Sequence, residues 1–254
     1  MIRIEGLTKN FDGHDALCGL NLSVNKGSIY GLVGVNGSGK TTVIKHLAGV
    51  YRCDGGRVLI DNTEVYDNEK IKARMGYVSD DLYFFPQYNL KMLGRFYGRM
   101  YSAWDGARFQ ELIELMGLDT KRRVARFSKG MQKQAALALS LSTMPEVLLL
   151  DEPIDGLDPI VRKRIFDRII EDVADRKMTV LISSHNLKEM DGICDTVGII
   201  KSGKMLMERD LDELKDEMSG NPEFAHSPPS LDEIFIHVYE AVMPQTAKKE
   251  AAHE

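Results

Sequence analysis

Three observations predict an α/β fold with a mainly parallel sheet at its core. Short apolar runs alternate with longer helical stretches over much of the chain, the texture of strand–helix–strand units. Two of the runs, Val147–Leu150 (VLLL) and Thr179–Ser183 (TVLIS), show no polar alternation, which suits strands covered on both faces of a parallel sheet. A glycine-rich loop follows a third run, Ser28–Val33 (SIYGLV), and leads into a helix starting near Lys40.

The elements can be placed in order. Ile2–Glu5 and Leu20–Val24 read as short strands, with Asn10-Phe11-Asp12-Gly13 as the turn region between them, an N-terminal antiparallel β subdomain. Arg57–Ile60 and Met75–Ser79 read as further strands. From Asn89 to about Leu141 β character disappears, and the segment is predicted helical with breaks near Gly117 and Lys129. This gives an inserted helical subdomain at about residues 82–145 within a domain spanning 1–207. Residues 208–254 form a short C-terminal extension. Within it, Asp210–Met218 is predicted helical, Ser219–Ser230 is a loop by its Pro, Gly and Ser content, and Ser230 with Glu233 has the capping-box spacing. Ile234, Phe235, Val238 and Val242 follow at helical spacing, predicting a docked helix, and the final AKKEAAHE is expected to fray.

Composition narrows the function classes. The 254 residues are 43% hydrophobic and 28% charged, ordinary for a globular protein of one to two domains. The longest uncharged stretch, Gly27–Gly39, has thirteen residues, short of the roughly 20 apolar residues of a membrane span. The opening MIRIEGLTKN lacks the apolar centre of a signal peptide, so the expected location is the cytosol. Lys plus Arg number 33 against 38 acidic residues, a net charge of −5. No nucleic-acid partner is therefore expected; the basic clusters Lys121-Arg122-Arg123 and Arg162-Lys163-Arg164 read as solvated faces. Cys18, Cys53 and Cys194 are too few and too scattered for a disulfide framework or a metal cluster.

Two motifs carry chemistry. Gly34-Val35-Asn36-Gly37-Ser38-Gly39-Lys40-Thr41-Thr42 fits a phosphate-binding loop between strand and helix. Its glycines let backbone N–H groups curl toward phosphate oxygens, and the helix N-terminus adds positive potential. Lys40 reaches the β- and γ-phosphates, and the Thr41 hydroxyl is a magnesium ligand. At a spacing of 111 residues from Lys40 comes Asp151, ending the VLLL strand, then Glu152. A strand ending in two carboxylates presents them at the carboxyl edge of the sheet, where ligands bind. Asp151 suits magnesium through water, and Glu152 suits polarisation of an attacking water.

Together with three further segments, these motifs make the chain resemble the ATP-binding cassette (ABC) ATPases over about Ile2–Met207. Phe127-Ser128-Lys129-Gly130-Met131-Gln132 is similar to the family's signature, Gly156-Leu157-Asp158-Pro159 to its D-loop, and Ser183-Ser184-His185 to its switch histidine. Phe11 matches the aromatic that stacks on adenine. The resemblance implies a P-loop NTPase fold in which two cassettes face head to tail around two molecules of Mg2+-ATP. Gly34, Asn36, Gly37, Ser38, Gly39, Lys40, Thr41 and Thr42 of one copy would hold the phosphates. Ser128 and Gly130 of the other copy would meet the same γ-phosphate, with Glu152 as general base, His185 on the γ-phosphate and Asp158 coupling the two sites. Ser128 and His185 also suit plain helix and strand caps, and Phe11 suits turn packing; both readings stand at this stage.

The chain departs from the family pattern at two places. Lys129 and Met131 make the signature SKGM, and Asp80 stands where the family ends a strand with glutamine; an aspartate there approaches a magnesium-bound water. The segment Asp81–Tyr88 is rich in aromatics, suiting either subdomain packing or a groove for a partner helix. The implied function is the ATPase subunit of a bacterial exporter of drugs or antimicrobial peptides. Its partners would be a second ATPase subunit, identical or different, and a separate transmembrane permease, placing it on the inner face of the cell membrane. The alternative is a soluble ABC ATPase acting on a ribosome or nucleic acid, disfavoured by the pI of about 5.8 and the single cassette.

Overall fold

The computed structural model describes residues 1–153, 156–219 and 230–241. Its first strands are β1 (Ile2–Phe11), β2 (His14–Val24), β3 (Ile29–Val33), β4 (Gly55–Ile60) and β5 (Thr63–Glu64). Then come β6 (Met75–Val78), β7 (Val147–Asp151), β8 (Thr179–Ser184), β9 (Thr196–Lys201) and β10 (Lys204–Asp210). The helices are α1 (Lys40–Leu47), α2 (Glu69–Lys72), α3 (Leu90–Met100), α4 (Gly106–Leu115) and α5 (Lys129–Ser142), then α6 (Pro159–Arg176), α7 (Leu187–Met190), α8 (Leu211–Ser219) and α9 (Leu231–Ala241). Among the described residues no helix is long and apolar enough to cross a membrane.

The strands form two sheets. One is antiparallel with order β2-β1-β4-β5; the other has order β10-β9-β3-β8-β7-β6, parallel except for β10. The parallel sheet is buried on both faces because its side chains alternate sides. Val147 and Leu149 of β7 pack with Tyr30, Leu32, Leu181, α1 and the antiparallel sheet. Leu148 and Leu150 face the other way, onto Leu90, Phe109, Leu137 and the helical layer of α3 to α6. Hence the unbroken VLLL run. The helical insertion shares this second core with the sheet and has no separate one.

Several boundaries differ from the sequence expectation, each for a local reason. β1 and β2 run to a two-residue turn, pairing Phe11 with His14. Asp12 and Gly13 both have positive φ (48° and 90°), the backbone an Asp-Gly hairpin turn requires. Register shifts after Ile4, Leu7 and Lys9 break the apolar alternation, so periodicity shows only the ends of each strand. The helical region has an additional break at Tyr101–Asp105, where Asp105 caps α4 by accepting the Arg108 N–H at 2.9 Å. β9 and β10 add a hairpin not expected from the pattern, and the boundary placed after residue 207 falls inside β10. The C-terminal capping box is present: Glu233 accepts from the Ser230 N–H at 2.7 Å, and Ser230 Oγ from the Glu233 N–H at 3.4 Å. Leu231 and Ile234 are buried, and α9 packs on α7. Val242, the tail and nearly all of the loop at 219–230 lie outside the described residues. All three cysteines are free.

Gly198 in β9 shows how tightly the sheet is packed. A Cβ built there would lie 2.0 Å from Tyr30 Oη and 2.8 Å from its Cζ, and Tyr30 is fully buried. Gly198→Ala is expected to destabilise the protein by about 1–3 kcal/mol, the usual cost of overpacking, read as a lower denaturant midpoint; an unchanged midpoint would show that Tyr30 can move.

Candidate functional site

The carboxyl ends of β3, β8 and β7 lie side by side, with Val33 opposite Ser184 and Ser183 opposite Asp151. Each strand delivers one piece of the site. After β3 the chain turns tightly at Gly34, where a Cβ would meet Ile200 O at 2.5 Å and Ser38 Oγ at 2.6 Å. The Ser38 N–H donates to Val35 O at 3.1 Å, and Gly39, at φ 111°, leads into α1. Asn36 and Gly37 form the exposed rim, and the Ser38 hydroxyl is buried with no hydrogen-bond partner among the described residues. Lys40 is only 6% exposed. Its ammonium lies inside the loop, donating to Gly34 O at 2.8 Å and Val35 O at 3.4 Å, and stands 3.4 Å from Glu152 Oε1.

Asp151 is fully buried at the end of β7. Its Oδ1 accepts from Ser183 Oγ at 2.7 Å and Thr41 Oγ1 at 3.1 Å, whereas Oδ2 is buried without a hydrogen-bond partner among the described residues. Burial pushes its pKa up; the bonds from Ser183 and Thr41 oppose this, and the charges of Glu152 and Asp80 add to it. The next residue, Glu152, has left-handed backbone (φ 45°). Its N–H donates to Ser183 Oγ at 3.1 Å, and its Oε2 meets the His185 ring Nδ1 at 2.9 Å and backbone N–H at 3.3 Å. The Glu152 carboxylate therefore sits between Lys40 and His185.

This donor set fits magnesium. A hydroxyl beside a carboxylate with one unpartnered buried oxygen supplies hard oxygen ligands, and magnesium commonly takes one or two carboxylates and completes its shell with waters and phosphates. Among the described residues no group of three or more His, Cys, Asp or Glu forms a metal cluster, so Thr41 and Asp151 are the protein groups that would hold such an ion.

The expected residues fall into two groups. Lys40, Thr41, Asp151, Glu152 and His185 converge, with Thr42 on the same helix turn. Ser128, Gly130 and Asp158 form a second locus at the N-termini of α5 and α6. Ser128 caps α5, its Oγ accepting from the Met131 N–H at 3.2 Å, and Asp158 caps α6, accepting from the Ile160 N–H at 2.9 Å. A Cβ on Gly130 would lie within 2.3 Å of Gly156 O, so the two helix starts pack backbone against backbone. Lys129 is exposed. Phe11 ends β1 at 37% exposure, edge-on to Tyr51 at 5.3 Å between centroids, with the Lys9 ammonium 5.4 Å away; it is not core.

Asp80 is close enough to Asp151 to act on its pKa, but its Oδ1 is paired with Lys133 Nζ at 3.0 Å. The aromatic segment divides. Leu82, Phe84 and Tyr88 pack on the core, while Tyr83 (80% exposed) and Phe85 are exposed beside Phe96. Two contributors escaped the sequence reading as individuals: Ser183, which joins Asp151 to Glu152, and Lys133. Ser183 carries a legible signal, a hydroxyl closing an apolar strand, whereas Lys133 carries none until the fold brings Asp80 to it.

Comparisons with known proteins agree with this geometry. Residues 17–155 match the family described as ABC transporter. The chain is similar to the ABC transporter ATP-binding protein YtrB of Bacillus subtilis (strain 168), 33% identical over 217 residues, covering 85% of this chain and 74% of that protein. It is 36% identical over 219 residues to the bacitracin transport ATP-binding protein BcrA of Bacillus licheniformis, 85% of this chain and 71% of that one. Similarity to the daunorubicin/doxorubicin resistance ATP-binding protein DrrA of Streptomyces peucetius is 36% over 229 residues, 87% and 68%. Among solved structures, an ATP-binding subunit of an ABC transporter superposes with TM-score 0.84 at 23% identity, covering 94% of this chain and 99% of that one. A dimeric post-hydrolysis cassette bound to ADP and Pi superposes at 0.75 with 22% identity, covering 83% and 99%. The solved structures bear out the expected fold.

The Asp151 environment has a pH consequence. Its folded pKa is raised, so the folded state holds the proton more tightly than the unfolded chain, and stability falls as pH rises from the ordinary aspartate value near ~4 through the folded value. With a chelator present and no ligand, Asp151→Asn is expected to remove that decline and to raise the thermal midpoint at neutral pH. A lower midpoint than the wild type would contradict it.

Proposed function

Because the chain belongs to the ABC transporter family and carries its ATP-binding domain, we propose that it is the ATP-hydrolysing subunit of a bacterial exporter of a drug or antimicrobial peptide. The observation carrying this reading is the convergence of Lys40, Thr41, Asp151, Glu152 and His185 on the adjacent ends of three parallel strands. The named functions of BcrA and DrrA favour export of such compounds. In this reading the ATPase unit, expected from the sequence to end at residue 207, runs on through β10 to Asp210, and the residues beyond are its extension. The protein works on the inner face of the cell membrane with a separate transmembrane permease.

Each residue takes a role its position suits. The loop amides from Gly34 to Thr42 and the Lys40 ammonium hold the phosphates, aided by the positive end of α1. Phe11 offers an exposed ring face to the adenine. Thr41, and Asp151 through water, would hold magnesium, which would supply positive charge against the phosphate oxygens. Glu152 orients the attacking water and takes its proton as the new P–O bond forms and the bond to the β-phosphate oxygen breaks. His185 keeps the Glu152 carboxylate in line and meets the γ-phosphate. A second cassette, identical or different, supplies Ser128 and Gly130 across the interface, with Asp158 linking the two sites. Since ATP touches both copies only when they are closed, its binding shifts the population toward closure.

Two substitutions test the reading. Glu152→Gln is expected to retain ATP binding, to lower turnover by about 10²–10⁴-fold as loss of a general base does, and to hold a dimer on size exclusion; wild-type turnover would remove Glu152 from the role. Lys40→Ala is expected to weaken ATP binding in equilibrium titration, and unchanged affinity would sink the phosphate-loop assignment.

A further inference from the structure

The Lys133 ammonium occupies a position that the phosphate-loop chemistry does not require. Lys133 lies on α5, one turn beyond the Ser128 cap, and its side chain is only 8% exposed. A lysine in so dry a position needs acceptors. Among the described residues it has two: the main-chain carbonyl of Glu152 at 2.6 Å and Asp80 Oδ1 at 3.0 Å. The first acceptor belongs to a residue in left-handed backbone, a conformation that a non-glycine residue keeps only when its surroundings hold it there. Glu152 is gripped on both sides of its α-carbon, by Ser183 Oγ on its N–H and by Lys133 on its carbonyl. The second acceptor, Asp80, begins the segment that carries exposed Tyr83 and Phe85.

The geometry points to Lys133 as a positioning residue that fixes the Glu152 backbone and ties it, through Asp80, to the aromatic segment following β6. The inference rests on the reading of Glu152 as the general base. It gives the Asp80 and Lys133 pair a shared purpose: Asp80 supplies the counter-charge that keeps the ammonium in place, and Lys133 reaches past it to the base. A displacement of the 80–85 segment by a partner would then be felt at Glu152 through one side chain. The same ammonium also anchors the signature helix α5 to the end of β7, so a shift of that helix reaches the base by the same route.

The test uses the full chain and compares Lys133→Met, Lys133→Arg and Asp80→Asn for ATP affinity, KM and kcat. Lys133→Met is expected to lower kcat about tenfold or more, with the dissociation constant and KM for ATP within about twofold of wild type. Lys133→Arg, which retains the charge and the donors, is expected to recover part of that loss. Asp80→Asn is expected to lower kcat about threefold on its own and to have no further effect in the Lys133→Met background, since both act through one contact. A Lys133→Met kcat within about twofold of wild type, an equal loss in ATP affinity, or additive effects of the two substitutions would overturn the proposal. Glu152→Gln separates the two readings. Lost turnover in Glu152→Gln with normal turnover in Lys133→Met removes only the positioning role, whereas normal turnover in Glu152→Gln removes the general base and the positioning role with it.

Discussion

Asp151 ends a strand whose other side chains are all apolar and buried, and its own carboxylate is shut off from water as well. A buried carboxylate costs several kcal/mol unless it is hydrogen-bonded or paired, so the surroundings of Asp151 set much of the site. Ser183 reaches it because β8 lies beside β7 with Ser183 in register. Thr41 reaches it because β3 lies on the other side of β8 and hands the chain to α1 through the glycine loop. Strand order β3-β8-β7 thus brings together residues 110 positions apart in the chain. The two hydroxyls satisfy one carboxylate oxygen and leave the other unpartnered, which is the opening a magnesium ion would fill.

The constraint continues into Glu152. Because Ser183 accepts the Glu152 N–H while donating to Asp151, one hydroxyl aligns both carboxylates. A left-handed non-glycine residue costs of order 1 kcal/mol, and the bonds from Ser183 and Lys133 offset it. The Glu152 side chain is thereby aimed between Lys40 and His185. The second locus, at the starts of α5 and α6, is held by a different device, the close backbone contact that only glycine permits at Gly130. Lys133 of α5 joins the two loci through its bond to the Glu152 carbonyl.

How much of this the sequence discloses depends on whether the requirement is local. The phosphate loop is fully legible, since its glycines are demanded by backbone geometry within nine residues. Asp151 and Glu152 are legible because an apolar strand ends at them. The β1–β2 hairpin is half legible: its bulges scramble the alternation, although the Asp12-Gly13 turn stands in plain view. The β9 run TVGIIK is too short for periodicity to separate strand from helix. Asp80 and Lys133 are 53 positions apart, and neither carries a local mark of the other. Only the tertiary fold turns an apparent departure from the family pattern into an ion pair.

In the proposed function the Thr41–Asp151 pair would receive the magnesium of a bound nucleotide. Calorimetric titration of the full chain with ATP, once with Mg2+ and once with a chelator, tests it most directly. The account predicts ATP affinity at least about tenfold higher with Mg2+, a gain of about 1.4 kcal/mol, and loss of that difference in Asp151→Asn. Equal affinities with and without Mg2+ in the wild type would contradict it.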